Sequence, residues 1–211
     1  MSQLLISVKI TLVLLAIVSG VYPLVVWGIS QAAMPSQANG SLIKRSDGTV
    51  VGSALLAQGF TKPEYFHPRP SAAGAAGYDP TASGGTNLGP TSDKLINGIH
   101  KKLADGKDDP SNFDGVKDLA EGYRKENGLA AGARVPIDAV TRSASGLDPD
   151  ISIENATLQA KRVALSRNMN VDKVVQLISD HKQGVAAGFL GEPRVNVLQL
   201  NLALDQFHPL K

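Results

Sequence analysis

Ile10–Ile29 reads ITLVLLAIVSGVYPLVVWGI, twenty residues without one charged side chain. Wound as an α-helix at 1.5 Å per residue, such a run is about 30 Å long and matches the hydrocarbon core of a bilayer. Trp27 stands near the far end, where interfacial aromatic anchors sit, with Tyr22 one turn before it. Gly20 and Pro23 are tolerated, because helix breakers are commoner in membrane helices than in soluble ones. A cleavable signal peptide is the rival reading, and Ser30-Gln31-Ala32 offers small residues for cleavage. The apolar region of a signal usually spans only about 7–15 residues, so the run is read as a retained anchor. Lys9 flanks its leading end and the next basic residues are Lys44 and Arg45. The positive-inside rule then places the N-terminus in the cytoplasm and the chain from about residue 30 onward outside it. In a bacterial inner membrane, that outside is the periplasm. Ala16 and Gly20 form a small-xxx-small pair with Thr11 and Ser19 nearby, a candidate face for packing against another helix.

Working outward, the chain of 211 residues has room for one domain besides this appendage. Twenty-one basic against nineteen acidic side chains give a net charge of +2, and no Lys/Arg block exceeds a dipeptide. A nucleic-acid partner is therefore not expected. The absence of cysteine excludes disulfides, thiolate metal sites and a cysteine nucleophile. The expected fold class is a single N-terminal transmembrane helix plus a small mixed α/β (α+β) extracytoplasmic domain. Its parts are an anchor over 1–31, a polar tether over 32–48 and the domain over 49–211.

Within the domain, Val50–Leu56 reads as a strand stopped by Gly59 and Pro63. Five prolines (63, 68, 70, 80, 90) and five glycines (74, 77, 84, 85, 89) then crowd positions 63–91, so that no hydrophobic period survives. Irregular segments beyond about 15 residues are usually functional or disordered, and Tyr65, Phe66, His67 and Tyr78 favour an ordered, docked loop. Ser92 is placed to cap a helix carrying Leu95, Ile96, Ile99 and Leu103 to about Gly106. A weaker helix is expected over Asp114–Asn127, and Val135–Val140 reads as a short strand or connector. Ser152 and Asn170 are expected to cap two consecutive helices. The first carries Ala156, Val163, Ala164 and Leu165; the second buries Val171, Val174, Val175, Leu177 and Ile178. Leu198–Asp205 alternates apolar and polar residues and reads as a half-buried strand, with a helix as competitor.

Catalytic apparatus is hard to find. His67, His100, His181 and His208 share no metal-ligand spacing, and neither a G-x-S-x-G elbow nor a Walker A sequence occurs. Asp108-Asp109 and Asp148-Pro149-Asp150 read as turns rather than cation ligands. No catalytic or metal residue is assigned. Tyr65, Phe66, His67 and Arg69, of types enriched at interface hot spots, are the candidate partner contacts.

Four blocks carry a resemblance: Phe66 to Ser71 (FHPRPS), Ser83 to Ser92 (SGGTNLGPTS), Val140 to Ser152 with Ala156 to Ala164, and Val195 to Asp205 (VNVLQLNLALD). In order and spacing they closely resemble the C subunit of the Kdp potassium-transporting ATPase, the KdpC family, over nearly the whole chain. The resemblance implies a non-catalytic accessory subunit of a high-affinity, ATP-driven potassium uptake pump in the cell inner membrane. Its implied partners are a potassium-channel-like subunit, a P-type ATPase subunit and a small membrane peptide. In the family the subunit is described as a catalytic chaperone that raises the ATP affinity of the hydrolysing subunit, which makes ATP the implied cofactor; potassium is transported by the complex and not bound here. A domain on the periplasmic side conflicts with direct contact to cytoplasmic ATP. A periplasmic cap over the entrance of the channel-like subunit satisfies the topology instead. Outside the family, the alternative is a membrane-tethered periplasmic enzyme or ligand-binding domain.

Overall fold

Thirty-two residues, Ser2–Ala33, form a helix long and apolar enough to cross a membrane. In this computed structural model, which describes residues 2–45, 47–185 and 187–209, the helix is built of α1 (Ser2–Ala16), a π-helical turn (Ile17–Val21) and α2 (Tyr22–Ala33). The wide turn sits where Pro23 enters the helix. Proline has no N–H to give to the preceding turn, and an extra residue per turn relieves the clash of its ring. Almost every side chain of the helix is exposed within the chain, including Ile10, Leu14, Tyr22 and Trp27, as suits a segment solvated by lipid.

Residues Met1–Ser53 and Ala54–Lys211 are two separate units; the ends of the expected anchor and domain, at Met1 and Lys211, lie outside the described residues. Where a polar tether is expected, the first unit continues as α3 (Pro35–Ala38) and β1 (Leu42–Lys44). The latter pairs antiparallel with β2 (Val50–Ser53). The strand thus stops three residues short of the expected Leu56.

The second unit is mixed but mainly helical, around a main apolar core and a smaller cluster at Tyr123, Ala139 and Val140. Its elements are α4 (Asp93–Asn97), α5 (Val116–Glu126), a 3-10 turn (Ile137–Ala139), β3 (Asp150–Ser152), α6 (Ile153–Ser166), α7 (Val171–Asp180), β4 (Arg194–Asn196) and α8 (Val197–Phe207). β3 and β4 pair antiparallel, with Ile151 opposite Val195. Ser152 and Asn170 cap α6 and α7 by accepting from Asn155 N–H and Asp172 N–H, as expected. Ala156, Ala160, Val163, Val174, Ile178, Val197, Leu200 and Leu204 interlock between these helices.

Three further expectations fail. Leu198–Asp205 is helix, not strand: Asn196 caps α8 through Gln199 N–H, and Val197, Leu200, Asn201 and Leu204 are buried at helical spacing. The helix expected to reach Gly106 ends at Asn97, because Gly98 takes φ +78°, and Ile99 then pairs with Phe113 across an irregular hairpin. A Cβ at Gly98 would also strike the Asp118 carboxylate and the Phe113 carbonyl, so this close approach requires glycine. Third, Val171 and Val175 are exposed rather than buried, and Leu165 of α6 is exposed as well. They lie on the outer sides of their helices, away from Val163, Val174 and Ile178.

Candidate functional site

The proline- and glycine-rich segment has no helix or strand between Pro63 and Thr91, yet its backbone from Pro63 to His67 is bonded by side chains of the helices. The Asn201 side-chain amide donates to Phe66 O (2.9 Å) and accepts from Phe66 N–H (2.8 Å). Gln159 does the same for the next residue, donating to His67 O (3.1 Å) and accepting from His67 N–H (2.7 Å). Arg162 donates to the carbonyls of Pro63 (2.6 Å) and Tyr65 (2.9 Å), and Arg167 to that of Glu64 (2.7 Å). Side chains of α6, the Arg167 cap and α8 thus replace the strand that would otherwise bond an extended backbone. Gln159 and Asn201 are each only 1% exposed, so these hydrogen bonds are made away from water.

The candidate partner contacts fall on this clamped segment. Phe66 has no exposed surface and belongs to the core, which corrects its reading as an exposed interface anchor: the clamp turns its ring inward. Tyr65 lies 4.8 Å from the Arg167 guanidinium and donates its hydroxyl to Asp205. Burial, then Asp205, raises its pKa. Arg69 donates to Asp148 at 2.6 Å, and His67 meets Glu126 at 2.7 Å through Nδ1 and Lys62 O at 2.9 Å through Nε2. Both partners of the His67 ring, the Glu126 carboxylate and the Lys62 carbonyl, are hydrogen-bond acceptors. Tyr65, His67 and Arg69 are partly exposed, with their polar ends engaged inside the domain.

The other blocks complete the same scaffold. Gly84 N–H donates to Ser145 O, Ser71 Oγ to Gly146 O and Ala57 N–H to Leu147 O. Gly146 has φ +67°, and a Cβ there would lie 2.7 Å from Gly84 O and 2.8 Å from Ala73 N. Only glycine lets the two loops touch.

Between this scaffold and α5 lies a cleft of about 420 Å³, within the range of small-molecule sites. One wall is Phe60, His67, Pro68, Pro70 and Tyr78; the other is Asp118, Leu119, Gly122, Tyr123 and Glu126, with Ala139, Asn155 and Gln159 completing the lining. Tyr123 donates to Asn155 Oδ1 at 2.9 Å. Burial raises the pKa of Tyr123, and burial pushes that of Tyr78 up to about 12. Burial also acts to raise Glu126, but the His67 hydrogen bond and the charges of His67 and Arg162 outweigh it and leave the carboxyl below its ordinary value. Asp118 is lowered by the N–H it accepts from Gly115 and further by His100. At the Asp118 end, ligand atoms of His100, Asp114 and Asp118 lie within 4.8 Å of one another, the one group of metal-ligand type among the described residues. Its His100–Asp118 members are already joined at 3.0 Å.

Sequence reasoning missed both the clamp and the cleft. The clamp had a signal, in Asn155, Gln159 and Arg162 recurring on one side of an otherwise apolar helix. The cleft had a fainter one, in a mid-helix glycine flanked four residues away by Asp118 and Glu126.

The chain matches the family model "K+-transporting ATPase, c chain" over residues 4–206. It is similar to the potassium-transporting ATPase KdpC subunit of Mycobacterium bovis (strain BCG / Pasteur 1173P2), 50% identical over 204 residues that cover 97% of this chain and 98% of the relative. The KdpC subunit of Caulobacter vibrioides (strain NA1000 / CB15N) is 52% identical over 188 residues, covering 89% of this chain and 85% of that protein. The matched span takes in the apolar helix, the clamp and the cleft alike, and the chain belongs to the family of K+-transporting ATPase c chains.

Proposed function

We propose that this chain is a non-catalytic accessory subunit of an ATP-driven potassium uptake pump, held in the inner membrane by its N-terminal helix. The observation that carries the reading is the family match across almost the full length, anchor included. A single helix cannot enclose a pore, so the chain acts through partners: a potassium-channel-like subunit, a P-type ATPase subunit and a small membrane peptide. Lys9 before the uncharged run supports, by the positive-inside rule, a domain on the periplasmic side. There it is positioned to cap the extracytoplasmic entrance of the channel-like subunit. Any rise in the ATP affinity of the hydrolysing subunit is then transmitted through the membrane partners and needs no nucleotide on this domain. Affinity purification of the full chain in mild detergent tests the reading. Recovery of a multi-helix potassium subunit together with a P-type ATPase supports it, and their absence from an otherwise intact preparation rejects it.

A further inference from the structure

One stretch of the second unit takes no part in its apolar clusters or in the clamp. Residues 184–191 read GVAAGFLG, eight positions with neither a charge nor a hydrogen-bonding side chain. The stretch leaves and rejoins the fold at one antiparallel bridge, where Gln183 N–H donates to Arg194 O (2.8 Å) and Arg194 N–H to Gln183 O (3.1 Å). Between those ends Ala187 and Gly188 follow each other at φ +51° and φ +82°, the two positive values that a type I′ reversal needs. Residues 187–192 are all exposed. The segment is therefore a projecting hairpin, and the two residues after the reversal form an apolar tip. Phe189 is 77% exposed and Leu190 54%; among the described residues, no aromatic side chain of the second unit is more exposed. Charge returns only at the base, with Lys182, Glu192 and Arg194 at the surface.

Size and reach decide what covers such a tip. Two side chains exposed to this degree present on the order of 250 Å². One face of a specific protein interface buries about 800 Å² and is rimmed with polar groups. The tip is too small and too uniformly apolar for that. A bilayer requires less, because only residues 34–53 separate the apolar helix from the second unit. The anchor keeps the domain at the membrane surface, where the local lipid concentration is high whatever the tip contributes. Surface-bound elements place apolar side chains about 5–10 Å into the boundary between headgroups and acyl chains, and leave their polar groups at headgroup level.

We propose that the 184–191 hairpin is a second membrane contact of this chain. Phe189 and Leu190 insert into the headgroup–acyl boundary of the bilayer that the N-terminal helix spans, and the occupant of the tip is phospholipid. Attachment at two points stops the domain from swivelling on its connection to the anchor. The inference rests on the membrane-spanning reading of that helix and on no partner subunit.

The chain has no cysteine, so a single introduced thiol can carry a nitroxide spin label. Full-length chains labelled at Phe189→Cys, Lys182→Cys or Leu14→Cys are reconstituted in phosphatidylcholine vesicles. Collisions of each label with oxygen, which concentrates in the bilayer, are compared with those of a water-soluble nickel chelate. The oxygen-to-nickel ratio at position 189 should exceed that at 182 about tenfold, as for a group about 5–10 Å below the surface. Adding Leu190→Asp to the Phe189→Cys chain should bring the ratio down to the value at 182. The melting temperature should stay that of the parent, as for a substitution at an exposed position. Equal ratios at 189 and 182, or a ratio unmoved by Leu190→Asp, would overturn the proposal. Protection of position 189 from both reagents would also overturn it, by covering the tip with protein, and so would protection that arises only in the assembled pump. The label at position 14 keeps the readings apart. A high ratio there with a low one at 189 removes the hairpin contact and leaves the anchor, whereas low ratios at both remove the anchor as well. The accessory-subunit reading is decided separately, by recovery of the partner subunits.

Discussion

Asn201 supplies, from one side chain, the donor and acceptor that a neighbouring strand would offer to Phe66, and that exchange sets what a substitution there costs. Asn201→Leu keeps the volume but leaves the Phe66 N–H and C=O buried without partners, at about 1–3 kcal/mol for each group. Phe66→Ala empties a site with no exposure and should cost about 3–5 kcal/mol. Urea denaturation of the full chain in detergent, followed by the far-ultraviolet signal, checks both; a midpoint unchanged in either variant contradicts the scaffold role of the segment. Tyr78 sets a limit on the alkaline side. Its hydroxyl donates to Arg69 O at 2.8 Å, and burial pushes its pKa up to about 12 from an ordinary value of 10. The folded state therefore holds its proton more tightly than the unfolded state. The contribution is fully present below pH 10 and is lost as pH rises through about 12, on the order of 2 kcal/mol in all. Tyr78→Phe removes the titrating group. Its stability should fall less steeply between pH 10 and 12 than that of the parent, although its neutral-pH stability is lower by one hydrogen bond. Parallel slopes would refute the assignment to Tyr78.

Helices opened by a polar cap before a clear helical period of apolar residues were readable from the chain, and those decided by tertiary packing were not. Ser152 and Asn170 announce α6 and α7 because a short side-chain oxygen before an apolar period satisfies an orphan N–H. For Leu198–Asp205 the alternation was real but misleading. The apolar residues at 198, 200, 202 and 204 fit a strand, while Val197, Leu200 and Leu204 fit a helix equally, and the core beneath α6 and α7 selects the second set. The clamp was illegible for a related reason, since hydrogen bonds from Gln159 to residue 67 and from Asn201 to residue 66 join positions about a hundred residues apart. The helical reading makes Leu204→Ala costly, about 2–5 kcal/mol, and Leu202→Ala much milder, because Leu204 is fully buried and Leu202 only half so. Equal losses of urea midpoint would restore the strand. The anchor helix is tested at the same scale. Gly20 lies in the π-helical turn with open space around its Cα, and small residues let membrane helices approach closely. Gly20→Leu should therefore lower recovery of the partner subunits more than Leu14→Ala does, and equal recovery removes the packing face.

For the whole molecule, the question of function reduces to which side of the membrane the second unit occupies. The folding physics is neutral on this point. The domain contains no cysteine, so the redox state of the compartment does not enter, and its core closes through helices, the β3–β4 pair and the amide clamp. The vote comes from charge around the anchor, where Lys9 precedes an uncharged run that ends before Lys44 and Arg45. The positive-inside rule retains positive charge on the cytoplasmic side, and the proposed topology therefore carries the domain across. A phosphatase that folds only in the periplasm, fused after Lys211, should therefore be active, and a fluorescent protein that matures only in the cytoplasm should stay dark at the same position. Moving the charge supplies the control. Lys9→Glu together with two lysines in place of Ser30 and Gln31 should raise the inverted fraction and the cytoplasmic signal with it. An active cytoplasmic reporter on the unaltered chain would put the domain beside ATP, return direct nucleotide contact to the mechanism, and remove the cap over the potassium entrance.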